Sequence, residues 1–343
     1  MYGQILVGVD GSEGSLRALR WTVEEAARRK ALVRAVTVWQ SPLATGEAFE
    51  SHVNEAKLFD KAKARSTQAL NEVLGQYPEV LIEPLVLEGE PAATLCVEAQ
   101  RADLLVVGSR GHGALGALLL GSVSSQCARQ SPCPIVIVPK STRKEADAGA
   151  AGRIVVGVDG SEASRRALAW AIEEAVARHD VIEAVSVWRG TDPDDDMGLE
   201  WRTFPSIQRH EAAMAEAAEE RLGRAIAEVA GENPAAAIEP LVLEGDPATS
   251  LCERAARADL LVVGSGSHSA LAGHLLGSVS SKCAQHSPRP VVIIPKDRIA
   301  TRAADQDRRD RDCAPSYQPA PTGATAARAR AGAADPSRLS EPR

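Results

Sequence analysis

The chain repeats itself. Residues 5–39 align without gaps to residues 154–188, with 21 of 35 positions identical, and residues 81–140 align to 237–296 with 41 of 60 identical. The offset grows from 149 to 156 between the two blocks. The extra residues fall around Gly190–Trp201, where Thr-Asp-Pro-Asp-Asp-Asp reads as a loop. A period near 150 residues is too long for a solenoid repeat and implies two complete domains, each able to bury its own core. Aromatic residues are only 3% of the 343, so those cores must be built from Val, Leu, Ile and Ala. Such cores suit parallel strands buried under helices.

Each half alternates strands and helices. Ile5-Leu-Val-Gly-Val is a short apolar run, the mark of a strand buried on both faces. Ser12 can cap a helix over Glu13–Lys30, where Leu16, Leu19, Val23 and Ala27 recur at helical spacing. Strands are expected at Val33–Trp39, Leu81–Leu87, Asp103–Gly108 and Pro134–Pro139. Helices are expected over Phe49–Leu74, from Pro91 onward, and over Gly121–Gln130. This alternation requires right-handed crossovers. The fold class is α/β: two tandem doubly wound, Rossmann-like domains, each a five-stranded parallel sheet flanked by helices. The first domain spans 1–140, a small polar linker 141–152, and the second domain 153–296. Residues 297–343, rich in Ala, Arg, Asp and Pro and poor in large aliphatics, read as a disordered tail.

Composition narrows the function. A net charge of −7 argues against nucleic acid or an acidic membrane surface as partner. No apolar run approaches the ~20 residues that span a bilayer. The opening Met1-Tyr-Gly-Gln-Ile-Leu-Val enters a strand at once, so no signal peptide is expected and a cytoplasmic location is. None of the six cysteines forms a C-x2-C pair, so no structural zinc site is expected. Cys96, Cys127, Cys252 and Cys283 form two repeat-equivalent pairs that read as reduced, buried small hydrophobes.

Ligands of doubly wound sheets bind at the carboxyl ends of the strands, where strand order reverses. The residues after strands one and four therefore matter most. Strand one runs into Val9-Asp10-Gly11-Ser12, repeated as Val158-Asp159-Gly160-Ser161. Strand four runs into a G-x2-G-x9-G-S pattern with glycines at 108, 111 and 121 and Ser122 last. Gly108 and Gly111 let the backbone turn and approach a ligand with no Cβ in the way. Gly121 and Ser122 open the next helix. There free N–H groups, the Ser122 and Ser124 hydroxyls and the helix dipole favour a phosphate. Glycines that merely permit tight turns are the plainer reading of the same pattern.

The halves resemble the universal stress protein family. The G-x2-G-x9-G-S run is similar to that family's ATP-binding signature, and ILVGVDGSEGS and PCPIVIVPK are similar to its members. The tandem arrangement resembles the two-domain, actinobacterial type. The resemblance implies that Asp10 contacts the adenosine, that Gly8 and Val9 line the same wall, and that Val38 offers backbone groups to the adenine edge. It implies that Gly108, Gly111 and Gly113 hold the ribose and phosphate, and that Gly121, Ser122, Val123 and Ser124 hold the phosphates, with Arg110 nearby. In the second half the implied set is Gly157, Val158, Asp159, Val187, Gly264, Ser267, Gly277, Ser278, Val279 and Ser280. Ser267 and Ser269 replace Gly111 and Gly113 there, and Gly266 replaces Arg110. A serine forced to positive φ costs roughly 1–2 kcal/mol, so the second site is expected to bind more weakly.

The expected function is an ATP-binding regulatory module of the stress response. Asp10 or Asp159 could hold Mg2+ or align a water, giving slow hydrolysis at most, so no enzyme is expected. The resemblance also implies pairing of the two last strands within the chain, a homodimer, and unidentified protein partners. Three other readings stay open: an adenylating enzyme of the adenine-nucleotide α-hydrolase-like group, a cyclic-nucleotide module, and a partner-binding protein without a small ligand.

Overall fold

A computed structural model describes residues 3–41, 55–75, 77–111, 120–140, 152–190, 205–231, 236–266 and 276–296. The first half runs β1 (Gln4–Gly8), α1 (Glu13–Arg29), β2 (Leu32–Trp39), α2 (Glu55–Leu74), β3 (Ile82–Glu88), α3 (Pro91–Glu98), β4 (Leu104–Gly108), α4 (Ser122–Gln130) and β5 (Ile135–Val138). The second half repeats this as β6 (Arg153–Gly157), α5 (Glu162–Arg178), β7 (Val181–Trp188), α6 (Pro205–Ala230), β8 (Ala237–Glu244), α7 (Pro247–Ala255), β9 (Leu260–Gly264), α8 (Ser278–His286) and β10 (Val291–Ile294). The tail 297–343 and nearly all of the linker lie outside the described residues.

Local chemistry explains the boundaries. Ser12 caps α1, its side chain accepting from the Ser15 N–H at 3.2 Å, and Ser161 caps α5 in the same way at 3.1 Å. Pro91 and Pro247 open α3 and α7, where a missing N–H costs no helix bond. Those helices are capped by Glu90 and Asp246, whereas Glu88 and Glu244 end the preceding strands. The helix expected from Phe49 is described from Glu55, and residues 42–54 lie outside the described part. The helix expected from Gly121 begins at Ser122, with Gly121 as its cap.

Within each half the strands are parallel, in the order β3-β2-β1-β4-β5 and its copy β8-β7-β6-β9-β10. Helices α1, α2, α5 and α6 cover one face, and α3, α4, α7 and α8 the other. The halves are not separate sheets. β5 and β10 pair antiparallel, with Val136 opposite Val292, and make one sheet of ten strands. All eight of their residues are 0–1% exposed. The apolar layers on both faces therefore run unbroken across the seam. The outer strands β3 and β8 carry Pro84 and Pro240, which suit edges because they cannot donate to a further strand.

A second contact joins the halves. Glu25 of α1 and Glu174 of α5 are repeat-equivalent and buried, and the half-buried Arg29 and Arg178 beside them are repeat-equivalent too. Each arginine binds the glutamate of its own helix and reaches the glutamate of the other: Arg29 pairs with Glu174, and Arg178 with Glu25 at 2.6 Å. Burial pushes the Glu25 carboxyl up, but Arg29, Arg178 and Arg28 together outweigh it and hold the group well below the usual carboxylate range. Removing one member leaves buried charge unpaired, which costs about 3–5 kcal/mol. Glu25→Gln is expected to lower the unfolding free energy by that order at pH 7. A carboxyl depressed by folding contributes stability above its ordinary value of 4.5, and that contribution is lost as pH falls further. The gap between Glu25→Gln and wild type in urea unfolding should therefore narrow steadily below pH 4.5. A gap that stays constant down to pH 2.5 would contradict the assignment.

Candidate functional site

β1 is the strand at which chain direction switches, since it lies between β2 and β4. The crevice opens where its chain leaves the sheet. Gly8 ends β1, and a Cβ there would stand 3.0 Å from the Leu95 side chain of α3. Asp10 follows. Its Oδ1 accepts from the Ser12 N–H at 2.9 Å and from the Ser12 hydroxyl at 2.6 Å. Gly11 turns at φ +81°, against the stem of Arg65 from α2. The turn thus fixes the carboxylate before any ligand arrives.

The exit of β4 is held just as tightly. A Cβ on Gly108 would lie 2.5 Å from the Gly14 carbonyl oxygen, and a Cβ on Gly14 would lie 2.0 Å from that of Arg110. The first turn of α1 and the loop after β4 therefore touch backbone to backbone. A Cβ on Gly111 would fall 2.4 Å from Asp10 Oδ2, so the carboxylate lies directly over Gly111. The Gly121 N–H donates to the Ser109 carbonyl at 2.8 Å and ties the start of α4 to the strand exit.

These elements enclose a cavity of about 590 Å3. Every first-half residue singled out in the sequence lines it, except Gly113, which lies outside the described residues. Gly121 at the α4 cap offers no side-chain acceptor, in contrast to Ser12 at α1 and Glu90 at α3. The first N–H groups of α4, from Ser122, Val123 and Ser124, thus meet the cavity with the positive end of the helix. The Ser124 hydroxyl differs from expectation. It is 2% exposed and donates inward to the Ser109 and Gly121 carbonyls at 3.1 and 3.0 Å, so it is turned away from the cavity. Strand alternation places Val38. Val9 N–H donates to the Val36 carbonyl at 2.8 Å as the last rung between β1 and β2. The backbone groups of Val38, two residues on, face the same side beyond that rung and open on the cavity. Trp39 points elsewhere, its ring edge-on to Phe59 with centroids 6.3 Å apart.

Sequence reasoning missed Ser15, Gln40, Arg65 and Leu95, which also line the cavity. Arg65 had a signal: the offset of 156 continues back into α2, where Arg65, Ala62 and Ala69 match Arg221, Ala218 and Ala225. Arg65 and Arg110 bring positive charge to a wall whose only lining carboxylate, among the described residues, is Asp10.

The second half rebuilds the frame with different fittings. Gly157, Val158, Asp159, Val187, Gly264 and the Gly277–Ser280 helix start occupy the corresponding strand ends, and Arg221 packs on Gly160. Gly14 is replaced by Ala163, however, so the close approach of Gly14 to Arg110 cannot be copied. Gln40 becomes Arg189, which pairs with Asp246 at 2.9 Å. Asp159 is exposed where Asp10 is half-buried. Ser267 lies outside the described residues.

A doubly wound sheet with a crevice at its switch point, where strand ends meet a helix start, defines an α/β protein of the Rossmann-like class. More particularly, the chain belongs to the universal stress protein family, whose model matches residues 1–139 and again 151–295. A universal stress protein of Mycolicibacterium smegmatis is 30% identical over 305 residues, covering 85% of this chain and 97% of that one. One from Mycobacterium tuberculosis is 33% identical over 300 residues, covering 84% and 95%. The crystal structure of a universal stress protein from Archaeoglobus fulgidus shares the fold, with a TM-score of 0.57 and 19% identity over 85% of this chain and 98% of that one. The duplicated, two-domain organisation is thus shared with mycobacterial relatives.

The backbone contact at Gly14 makes a structural prediction. Gly14→Ala should cost about 1–3 kcal/mol by forcing the loop off α1. Gly223→Ala, on α6 with nothing within 4 Å of the added Cβ, should instead stabilise by about 0.5–1 kcal/mol. Thermal unfolding of both variants checks the pair. Equal small effects would show that the α1–β4 contact is looser than the structure has it.

Proposed function

We propose that the first half binds an adenine nucleotide, ATP by preference, and that the protein acts as a nucleotide-dependent binding module rather than a catalyst. One observation carries the reading: the N–H groups opening α4 face a cavity of nucleotide size with no side-chain cap, beside two arginines. The residues present fit the ligand. Ser122–Ser124 and Arg110 suit the phosphates, Asp10 over Gly111 suits a ribose or adenine donor, and the Val38 backbone suits the adenine edge. A bound nucleotide adds charge and shape at the strand ends for a partner to read, and it can shift any equilibrium of the protein by no more than its differential affinity for the two states. Asp10 is one carboxylate with Oδ1 already engaged by Ser12, so Mg2+ would be held mainly by the phosphates. No second acid or histidine beside Asp10 lines the described wall to serve as a general base. The altered fittings at Ala163, Arg189, Gly266 and Ser267 favour a weaker second site.

The test is nucleotide extraction from freshly purified full-length protein, identified by mass, followed by calorimetry with ATP, adenylate and cyclic adenylate. One dominant site per chain is expected, with ATP tightest. Asp10→Asn and Gly111→Ala should each weaken it about tenfold or more, since a hydrogen bond to a charged group contributes about 1.5–3 kcal/mol. Indifference to every purine phosphate at millimolar concentration would defeat the proposal. Tightest binding of cyclic adenylate would move it to the cyclic-nucleotide reading, and substrate-dependent pyrophosphate release to an adenylating enzyme.

A further inference from the structure

The cysteines are arranged in a way that nucleotide binding does not use. Cys96 lies on α3 and Cys127 on the facing α4, and the second half repeats the placement with Cys252 on α7 and Cys283 on α8. All five described cysteines are free. Cys127 is fully buried and its thiol approaches the Ala92 carbonyl at 3.9 Å, one helical turn before Cys96. Cys96 and Cys127 thus meet across the α3–α4 contact, and Cys252 and Cys283 across its copy, in one apolar layer. In each pair one member is buried and the other half-buried. Two reduced thiols facing each other across a helix–helix contact, twice in one chain and each with one solvent-reachable member, is more than a lone cysteine filling space.

We propose that Cys96–Cys127 and Cys252–Cys283 are disulfide-forming pairs, oxidised by hydrogen peroxide or an organic hydroperoxide. The half-buried sulfur attacks first. Cys96 thiolate displaces hydroxide from hydrogen peroxide and becomes a sulfenic acid. The Cys127 sulfur then attacks it, the S–O bond breaks, water leaves with the Cys127 proton, and a disulfide forms. Two thiols and one peroxide give one disulfide and two waters. The order of attack follows from the contact. Hydrogen bonding from Cys127 lowers the Cys96 thiol below its ordinary value, and the same bond together with burial raises Cys127. Cys133 is also buried, pushed up to about 12, and has no cysteine counterpart in the second half, where Arg289 stands. It is therefore not part of the repeated device. The disulfides would staple α3 to α4 and α7 to α8, and in the first half these are the helices whose Leu95 and Ser122 wall the cavity. The inference does not depend on what the cavity binds.

The experiment uses the full chain carrying Cys313→Ala, to remove crosslinking through that residue. Peroxide is added in modest excess, free thiols are counted, and non-reduced peptides are mapped by mass. Of the five remaining cysteines, four should be lost as two linked peptides, Cys96–Cys127 and Cys252–Cys283, and recovered with dithiothreitol. A Cys96–Cys133 link, over-oxidised Cys96 with Cys127 still a thiol, or no loss at peroxide levels that consume glutathione would each overturn the proposal. Cys127→Ser adds an independent readout: sulfenic Cys96 should persist and its dimedone labelling rise at least tenfold, and unchanged labelling would count against the pair. If that core variant fails to fold, Cys96→Ala on the half-exposed side replaces it. It should protect Cys127 from oxidation and leave the Cys252–Cys283 link intact; loss of Cys127 thiol in that variant would overturn the proposal.

Discussion

Strands β5 and β10 each present four consecutive apolar residues with no polar face to turn outward, and every one of them is 0–1% exposed. Neither strand could end its own sheet in water. Its open edge would be a pairing site, and its side chains would forfeit roughly 1.5–3 kcal/mol each. Pairing the two antiparallel within the chain solves both problems at once and sets the geometry of everything else. The outer edges then fall on β3 and β8, where a proline blocks further pairing. The two halves become related by an approximate twofold about the seam, since the repeat-equivalent Val136 and Val292 face each other across it. The Glu25, Arg29, Glu174 and Arg178 cluster fits this symmetry, because each member repeats its counterpart across the seam. An apolar seam alone tolerates sliding by one pair of residues. A four-charge cluster built on two buried glutamates does not, since a slip would strand those carboxylates without partners.

Site and scaffold are built from the same close contacts. Gly14 and Gly108 are glycines because α1 and the β4 exit meet backbone to backbone, and that meeting brings Arg110 and Gly111 to Asp10. Asp10 in turn is aimed by the serine that caps α1. The amino end of α4 is anchored by Gly121 and Ser124 to the Ser109 carbonyl. Few of these residues could change without moving the crevice, so its shape is set by folding and not by a ligand.

Most of the fold was legible because it is written in periods. The short apolar runs, the capping serines and the prolines opening α3 and α7 each have one physical meaning, and the repeat supplied every motif twice. The cavity wall formed by strand ends was legible for the same reason, since strand order fixes where the crevice lies. What escaped was contributed from a distance. Arg65 and Leu95 reach the crevice from helices whose rotation about the sheet no local motif announces, although the repeat offset at Arg65 was there to be read. The inward hydroxyl of Ser124 was hidden for a different reason. A serine in the first turn of a helix can point to a ligand or to a nearby carbonyl, and only the loop path past Ser109 decides. The thiol contacts were invisible because they join two helices that the sequence places about thirty residues apart.

The two halves also show how one contact can decide the fate of a duplicated site. In the first half the α1–β4 contact requires Gly14, and the Arg110 carbonyl fills the space a side chain would take. In the second half Ala163 occupies that space, its own Cβ standing 2.8 Å from where one on Gly264 would lie. The chain after β9 therefore cannot follow the path of the chain after β4. At Gly266, in the place of Arg110, an added Cβ would meet the flexible Lys296 side chain at 2.1 Å and no backbone. Arg189 then pairs with Asp246 on a rim where the first half has Gln40 and Glu90. The differences gather at the start of α5, at the exit of β9 and just past the end of β7, while the seam, the caps and both cysteine pairs stay as they were.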